Sequence, residues 1–335
     1  MRDINITTVI CCYHGVKTVQ NAIESIVNQN YDKTKYELII IDNGSIDGSE
    51  DKINDSINRY SKNINIRKIR IENKGLSNAR NIGWKNAKGE LVFYMDDDAY
   101  ADKNCLDLII KTFNSNHNIN VVGGKVDILN NKNEFANLYH HSIFNFWMYK
   151  RDLIIGTNMS FKRDFLKKTN GFIDTFLYRG DESAFFEKNK DVLYTRINRE
   201  IIIYHTQPEK FKQFFISRYQ NGEGKLRVLK MSGINRSNIN KFILNVVIRL
   251  ISIISVLTLI TCIVIGDYKN VYLPVSVTLI LIRNLAQSDM IGSIKNYYNY
   301  INKHIFLRIY SIIKIIYMIL IGNILEDIGY LKNSI

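Results

Sequence analysis

Cysteine is scarce in this sequence, and its four cysteines form no metal-binding pattern. Cys11 and Cys12 are adjacent in an apolar run, and Cys105 and Cys262 have no cysteine or histidine at the spacing that zinc sites require. A zinc centre of that kind is thereby excluded. Reduced, buried thiols in a cytosolic compartment are the simplest interpretation.

The sequence also lacks the segments that mark exported and nucleic-acid-binding proteins. The chain leads from Met1 into a short strand pattern, without the apolar core and small-residue cleavage site of a secretory signal. Its net charge is +13, but the basic residues are spread along the chain rather than concentrated in one Arg-rich helix or arm. We therefore expect a first domain that stays in the cytosol, and no nucleic acid partner.

What is present is a regular alternation of strand and helix patterns. Nearly continuous apolar runs predict strands at Ile6–Cys12, Tyr36–Ile41 and Leu91–Met95. A further strand is predicted at Ile64–Ile71, and helical patterns lie between the strands. Strands that alternate with helices form parallel βαβ units, and strands without polar alternation belong to a sheet covered on both faces. The predicted fold class is therefore α/β, with a doubly wound, mostly parallel sheet. Ligands of such sheets bind beyond the carboxyl ends of the strands.

Acidic side chains follow two of these strands. Asp42 comes directly after the second strand, and the carboxylates Asp96–Asp98 follow the fourth. Adjacent carboxylates repel one another unless a cation lies among them, and hard oxygen ligands at a strand end suit Mg²⁺ or Mn²⁺. Such an ion commonly bridges to substrate phosphates, which favours a nucleotide-phosphate substrate. A solvated acidic turn is the alternative.

The last third of the chain is more apolar. Residues 250–265 carry no charge, and with 242–249 in front of them they are long enough to cross about 30 Å of hydrocarbon. Candidate membrane spans at 243–265 and 270–287 would leave their flanking Lys and Arg side chains on the cytosolic side. Residues 305–325 fit an interfacial amphipathic helix. We expect these C-terminal helices to associate with the membrane, where anionic lipid head groups attract the flanking basic residues. A buried helical hairpin in a soluble domain is the alternative.

Three motifs of the first half, taken together, resemble glycosyltransferase family 2 and its GT-A fold. They are the loop 42–48 (DNGSIDG), residues 73–81 (NKGLSNARN) and the run Asp96–Asp98, in the order and spacing of the family. Each motif alone is weak evidence, whereas the combination is specific. The resemblance covers roughly residues 4–225. It implies a metal-dependent, inverting transfer of a sugar from a nucleotide diphosphate sugar.

The resemblance and the apolar pattern of the C-terminal third together imply a domain organisation. Residues 1–230 would form the GT-A domain, with a nucleotide-binding half at 1–100 and an acceptor half at 101–230. Residues 241–335 would form the membrane-associated helical region. This organisation places the enzyme at the cytoplasmic face of the cell membrane.

On the donor side, the resemblance assigns roles to several residues near the strand ends. Asp42 matches the position that holds the base of the nucleotide sugar, with an Asx turn or helix N-cap as its other role. Asp96 and Asp98 match the D-x-D pair of the family, in which the first carboxylate contacts the ribose and the second the metal. Arg80 is expected to contact the nucleotide or to form an ion pair on its helix surface. Cys11, at the end of the first predicted strand, is assigned to the same nucleotide site.

On the acceptor side, the family supplies a general base in a Glu-Asp motif that follows a Gly-Phe loop. Residues 171–174 match the loop, and Asp181 and Glu182 stand at the motif in reversed order. Glu182 is expected to be the base with Asp181 in support, and a carboxylate pair that stabilises a helix start is the alternative. His205, at the end of an apolar strand, resembles a late histidine that completes metal coordination in some GT-A enzymes. A purely structural histidine is the alternative.

The processive-synthase motif Gln-x-x-Arg-Trp is absent, which favours a single-transfer enzyme over a polymerising one. The leading hypothesis is sugar transfer from a nucleotide diphosphate sugar, with Mn²⁺ or Mg²⁺, to a hydroxyl of a lipid-linked or cell-surface glycan acceptor. The alternatives are a non-catalytic nucleotide-sugar-binding scaffold of a glycan assembly complex and a nucleotidyltransferase. The sequence leaves the donor, the acceptor and the oligomeric state open, and it is compatible with an oligomer.

Overall fold

The computed structural model of the protein covers most of its first 231 residues. The described residues are 4–145, 152–174 and 179–231, together with Met318, Leu325 and Ile328. The chain divides into two compact units, the first made of residues 1–137 and 151–207 and the second of residues 138–150 and 208–335. The sheet and the site described below belong to the first unit.

Strands and helices alternate along the chain. The strands are β1 (Ile6–Cys12), β2 (Tyr36–Asp42), β3 (Asn65–Arg70), β4 (Leu91–Asp96), β5 (Ala99–Ala101), β6 (Val121–Ile128), β7 (Met159–Lys162) and β8 (Thr195–His205). The helices are α1 (Val19–Val27), α2 (Ser49–Tyr60), α3 (Leu76–Asn86), α4 (Cys105–Ser115), α5 (Glu134–Tyr139), α6 (Arg163–Thr169), α7 (Asp181–Lys188) and α8 (Phe211–Met231), with a π-helical turn at His140–Phe144 and a 3₁₀ turn at Lys190–Val192. The first four strands are therefore confirmed, each within about one residue of its predicted ends.

In the described part of the chain, the strands form one sheet in the order β3-β2-β1-β4-β7-β6-β8-β5. The strands β3, β2, β1 and β4 are parallel, as predicted. The other half is mixed, because β7 runs antiparallel to both β4 and β6 while β8 runs parallel to β6. Apart from β5, this half comes from the sequence from Val121 onward, where the regular strand-helix alternation that produces parallel crossovers ends.

The parallel strands β2, β1 and β4 are covered on both faces. Every residue of β2 is buried, and β1 and β4 each have only one residue that is not. One core cluster combines alternate strand residues with the apolar sides of α1, α2 and α4. The other combines the opposite face with α3, α6 and α7. Burial on both faces explains why these strands are nearly continuous apolar runs.

A buried glutamate closes the amino-terminal edge of the sheet. Glu37 in β2 is fully buried, and its Oε1 accepts hydrogen bonds from Thr7 Oγ1 (2.8 Å) and Lys88 N (2.6 Å). Gly89 N in turn donates to Thr7 Oγ1 at 2.9 Å. A buried carboxylate needs such donors because it has lost its hydration. These bonds fix the turn before β4 against β1 and β2.

Gly89 in this turn is expected to tolerate no side chain. A Cβ atom there would lie 2.6 Å from Thr7 N and 2.7 Å from the carbonyl carbon of Ile6, which are backbone atoms of a central strand. Gly89→Ala should therefore lower the free energy of unfolding by about 1–3 kcal/mol, the usual cost of overpacking. Urea denaturation measures this, with Lys88→Ala as the control because the Lys88 side chain is exposed. Equal urea midpoints for the two variants would contradict the prediction.

The predicted C-terminal region lies largely outside the described residues. This applies to the candidate spans 243–265 and 270–287, and to the amphipathic helix 305–325 apart from Met318 and Leu325. Among the helices that the structure describes, none combines the length and the apolar character needed to cross a membrane. The domain boundaries at 1–230 and 241–335 stay predictions.

Candidate active site

The carboxyl ends of β1, β2 and β4 form one edge of the sheet. In the strand pairing, Cys12 lies opposite Asp42 and Cys11 lies opposite Asp96. The acidic residues that end the second and fourth strands therefore share this edge, as a parallel sheet requires. Because β1 separates β2 from β4, the backbones of Asp42 and Asp96 stand about 10 Å apart, which is two strand spacings.

Strand β8 brings His205 to the acidic run. In the antiparallel pairing of β5 with β8, Ala99 lies opposite His205. His205 Nε2 is 3.1 Å from Asp98 Oδ1 and 3.8 Å from Asp96 Oδ2. One ligand atom from each of these three residues lies within 4.8 Å of the others, and no second group of this kind occurs among the described residues. The structure thus gathers Asp96, Asp98 and His205 from two distant parts of the sequence.

The protonation of Asp98 and His205 reflects their closeness. Burial alone would raise the pKa of Asp98, but the adjacent imidazole lowers it below its usual value. Burial alone would lower the pKa of His205, but the Asp98 carboxylate, followed by Asp96, raises it to about 9. The two groups therefore behave as an ion pair when no cation competes for the carboxylates.

Asp97, the middle residue of the run, faces the loop after β1 instead. Its Oδ2 accepts a hydrogen bond from Tyr13 N at 3.3 Å. Burial and the neighbouring Asp98 carboxylate raise the pKa of Asp97 to about 7. Asp97 and Asp98 form the turn between β4 and β5, and in this turn Asp97 points away from the position at which Asp96 and Asp98 meet His205.

Arg80 in α3 lies at the centre of a second cluster of charges. Its side chain is 3% exposed, and its guanidinium donates a hydrogen bond to Asp181. The same group lies 3.5 Å from Asp96 Oδ1 and 4.0 Å from Glu182 Oε2. These carboxylates outweigh the effect of burial, which alone would lower the pKa of Arg80, so the net shift is upward. Of the two roles predicted for Arg80, the ion pair is present, but it is buried rather than on the helix surface.

The two acids at the start of α7 have different surroundings. Asp181 is fully buried against Arg80, whereas 28% of the Glu182 side chain is exposed. Burial and the adjacent Asp181 carboxylate raise the pKa of Glu182 to about 8. An accessible carboxylate with a raised pKa can exchange protons with a substrate, and a buried, ion-paired one cannot. Geometry therefore favours Glu182 over Asp181 as the proton acceptor.

The cluster of Asp96, Asp98 and His205 fits a divalent cation. Two carboxylate oxygens and one imidazole nitrogen can approach a common point, and this ligand set suits an ion such as Mn²⁺. Burial raises the pKa of Asp96 despite the opposing charge of Arg80. We call the group of charged side chains formed by this cluster, Arg80, Asp181 and Glu182 the crevice. The single guanidinium of Arg80 does not neutralise its carboxylates, so an added positive charge would be stabilised there.

Asp42 has partners that the sequence reasoning missed. Its Oδ1 accepts a hydrogen bond from Ser45 N at 3.0 Å, which is the predicted Asx turn. Its Oδ2 pairs with Arg70 Nη1 at 2.6 Å, and Arg70 also pairs with Glu50. Asp42 is fully buried, whereas 41% of the Arg70 side chain is exposed. The register of β2 with β3, which places Asp42 opposite Arg70, is the signal that could have revealed this pair.

Asn81, next to Arg80, ties α3 to the Gly-Phe loop. Its Nδ2 donates to Phe172 O and to Asp174 Oδ1, each at 2.7 Å, and its Oδ1 accepts from Phe172 N at 2.9 Å. Gly171 has φ +63° and leaves no room for a Cβ beside Asn81 and Trp84. Residues 73–81 and 171–174, which are separate motifs in the sequence, thus meet in space.

Cys11 lies opposite Asp96 in the strand pairing and is half-buried. Burial raises the pKa of Cys11 to about 12, so the side chain stays a neutral thiol and is not a thiolate nucleophile.

Comparison with known proteins agrees with this geometry. The family model described as Glycosyl transferase family 2 matches residues 7–170. Glycosyltransferase AglE of Haloferax volcanii is 23% identical over 234 residues, which are 69% of this chain and 76% of AglE. The minor teichoic acid biosynthesis protein GgaA of Bacillus subtilis is 34% identical over 116 residues, which are 34% of this chain and 26% of GgaA.

The fold also matches that of a solved glycosyltransferase. The mannosyltransferase PcManGT of Pyrobaculum calidifontis, solved in complex with GDP-Man and Mn²⁺, superposes with a TM-score of 0.54 at 17% identity. The match covers 69% of this chain and 64% of the mannosyltransferase, so the chain spans somewhat less than two thirds of that protein. The mixed α/β sheet is therefore GT-A-like, as the resemblance of the motifs implied. The family model spans β1 to β7, so residues 7–170 belong to glycosyl transferase family 2, and with the glycosyltransferase relatives this identifies the chain as a glycosyltransferase enzyme.

Proposed function

We propose that this enzyme transfers a sugar from a nucleotide diphosphate sugar to a hydroxyl of a lipid-linked or cell-surface glycan acceptor, with inversion at the anomeric carbon. The observation that carries the proposal is the pairing of two clusters in one unit. Asp96, Asp98 and His205 stand on the donor side, and Glu182 stands on the acceptor side, with Arg80 between them. A single accessible base opposite the donor site is what a direct displacement needs.

In this reaction Glu182 accepts the proton of the acceptor hydroxyl. The acceptor oxygen forms a bond to the anomeric carbon, the bond from that carbon to the diphosphate breaks, and the electron pair leaves with the diphosphate. Asp98, with Asp96 and His205, would hold a divalent cation, which would supply positive charge where the leaving diphosphate gains negative charge. Asp181, buried against Arg80, keeps the start of α7 in place so that Glu182 faces the crevice.

Known relatives support the substrate classes. PcManGT was solved with a nucleotide sugar and Mn²⁺, which supports a nucleotide diphosphate sugar as donor and Mn²⁺ or Mg²⁺ as cofactor. GgaA is a teichoic acid biosynthesis protein, which supports a cell-surface glycan as acceptor. The uncharged run at 250–265 supports a membrane-associated region at 241–335 and an enzyme at the cytoplasmic face of the cell membrane.

The donor can be found by a binding screen. Thermal unfolding of the full chain with individual nucleotide sugars, with and without Mn²⁺, should show a Mn²⁺-dependent rise in Tm for the true donor, because ligands that bind the native state stabilise it. Release of nucleoside diphosphate with that donor then tests turnover. Binding without release would favour a scaffold, and release of pyrophosphate would indicate a nucleotidyltransferase.

Proton transfer to Glu182 predicts a pH dependence. Because the pKa of Glu182 is raised to about 8, the base is mostly protonated below that pH and cannot accept a proton. We expect kcat/KM at saturating Mn²⁺ to rise with pH and to level off above about pH 8. Asp181→Asn removes the adjacent negative charge that raises this pKa, so its profile should level off at a lower pH. A profile that is flat between about pH 6 and 9 in the wild type would argue against Glu182 as the base.

A further inference from the structure

The guanidinium of Arg80 is fixed between packing surfaces. The central carbon of the group lies over the Phe172 ring, 5.8 Å from the ring centre. On another side, a Cβ atom at Gly156 would lie 2.5 Å from Arg80 Nη2, so the chain approaches as closely as a glycine permits. A group held in this way can shift between neighbouring carboxylates but cannot leave them.

Those carboxylates belong to both halves of the proposed reaction. Asp181 accepts a hydrogen bond from Arg80, and Glu182 is 4.0 Å away on the same helix. Asp96, at 3.5 Å, is also one of the three groups gathered around the candidate cation position. A cation that enters this position therefore competes with Arg80 for the charge of Asp96.

We propose that Arg80 is a positioning residue that couples the metal-side carboxylate Asp96 to the base-side pair Asp181 and Glu182. The inference rests on the function proposed above. Before the cation binds, Arg80 shares its charge between Asp96 and Asp181. When the cation takes over Asp96, the guanidinium is left to Asp181 and Glu182, so the base is aligned when the donor side is complete. By reciprocity, changes on the base side must alter the affinity for the cation.

This coupling can be measured with Mn²⁺ alone, by electron paramagnetic resonance of the free ion in titrations of the full chain. In Asp181→Asn the guanidinium is left to Asp96, and we expect Mn²⁺ to bind about fivefold or more weakly. In the double variant Arg80→Gln with Asp181→Asn, the net charge of the crevice is unchanged, but Asp96 has lost its competitor. We expect this variant to bind Mn²⁺ several-fold more tightly than the wild type.

The double variant also protects the test against misfolding. Removing both charges of the buried Arg80–Asp181 pair together leaves the net charge around them unchanged, so the fold should persist even where a single variant unfolds. Asn81→Ala is the matched control. It removes the hydrogen bonds to Phe172, whose ring packs against Arg80, without changing any charge. We expect it to leave the affinity for Mn²⁺ unchanged. A double variant that binds Mn²⁺ no more tightly than the wild type, or an Asn81→Ala loss equal to that of Asp181→Asn, would overturn the inference.

Turnover gives an independent measurement. Arg80→Lys keeps the positive charge, but an ammonium cannot hold two carboxylates in the planar geometry of a guanidinium. We expect kcat to fall by about 10- to 100-fold with little change in the KM of the donor, as for groups that orient a metal ligand. Arg80→Lys with unchanged kcat would count against the inference. A wild type that binds Mn²⁺ with this coupling but transfers no sugar would contradict the proposed function alone.

Discussion

Glu182→Gln is expected to lower kcat by about 10²- to 10⁴-fold, the usual contribution of a general base. Glutamine keeps the size of the side chain but cannot accept the proton of the acceptor hydroxyl. The effect should fall on kcat, because Glu182 is not one of the three residues proposed to hold the cation on the donor side. Initial rates of nucleoside diphosphate release, with Mn²⁺ and saturating donor, measure the loss.

Glu187→Gln is the control for this variant. Glu187 lies on the same helix, with 46% of its side chain exposed and Lys190 as its ion-pair partner. We expect it to retain full activity, since it faces away from the charged cluster around Arg80. Donor-induced shifts in Tm should remain in both variants. Comparable rates for Glu182→Gln and Glu187→Gln would remove Glu182 from the mechanism.

Asp98→Asn is expected to weaken Mn²⁺ binding by more than about 100-fold. Outer-shell changes alone cost about 10- to 100-fold in metal affinity, and Asp98 is proposed to bind the ion directly. The neutral amide also loses the charge that now pairs with His205 at 3.1 Å. Titration of the full chain with Mn²⁺ in the absence of donor gives the affinity, and sugar transfer should fall in parallel at subsaturating Mn²⁺.

Asp97→Asn separates coordination from charge. Asp97 is adjacent in sequence, but its carboxylate accepts from Tyr13 N and faces the loop after β1. At about pH 8, above the pKa of about 7 to which burial raises Asp97, the variant takes away a negative charge without removing a proposed ligand, so we expect a loss of Mn²⁺ affinity of only a few-fold. If both variants lost affinity equally, the run Asp96–Asp98 would act as a diffuse negative field rather than as a set of ligands.

Much of the nucleotide-binding half could be predicted from the sequence. The apolar runs that became β1, β2 and β4 are buried on both faces, and such runs have few other stable arrangements. Their parallel pairing then places Asp42 and Asp96 at one edge. The mixed half could not be predicted in this way, because β7 and β8 follow irregular segments whose pairing depends on which strand edges remain open.

The partners of the site residues were harder to predict. Arg80 and Asp181 are 101 residues apart, and their pairing depends on how α3 and α7 pack against the same face of the sheet. Arg70 carries no signal in the motif around Asp42, although it pairs with that carboxylate. Periodicity reports whether a side chain is buried, but it does not report which charge will be buried beside it.

The sequence by itself determined which acidic residues follow the parallel strands and showed the resemblance to glycosyl transferase family 2, because both depend on local patterns and spacing. Tertiary structure decided which acids share a cation and which one faces the crevice. Asp181 and Glu182 are neighbours in sequence, yet the packing of α7 buries one against Arg80 and leaves the other accessible. Burial and pairing of charges depend on distances between segments that are remote along the chain, and only the folded chain sets those distances.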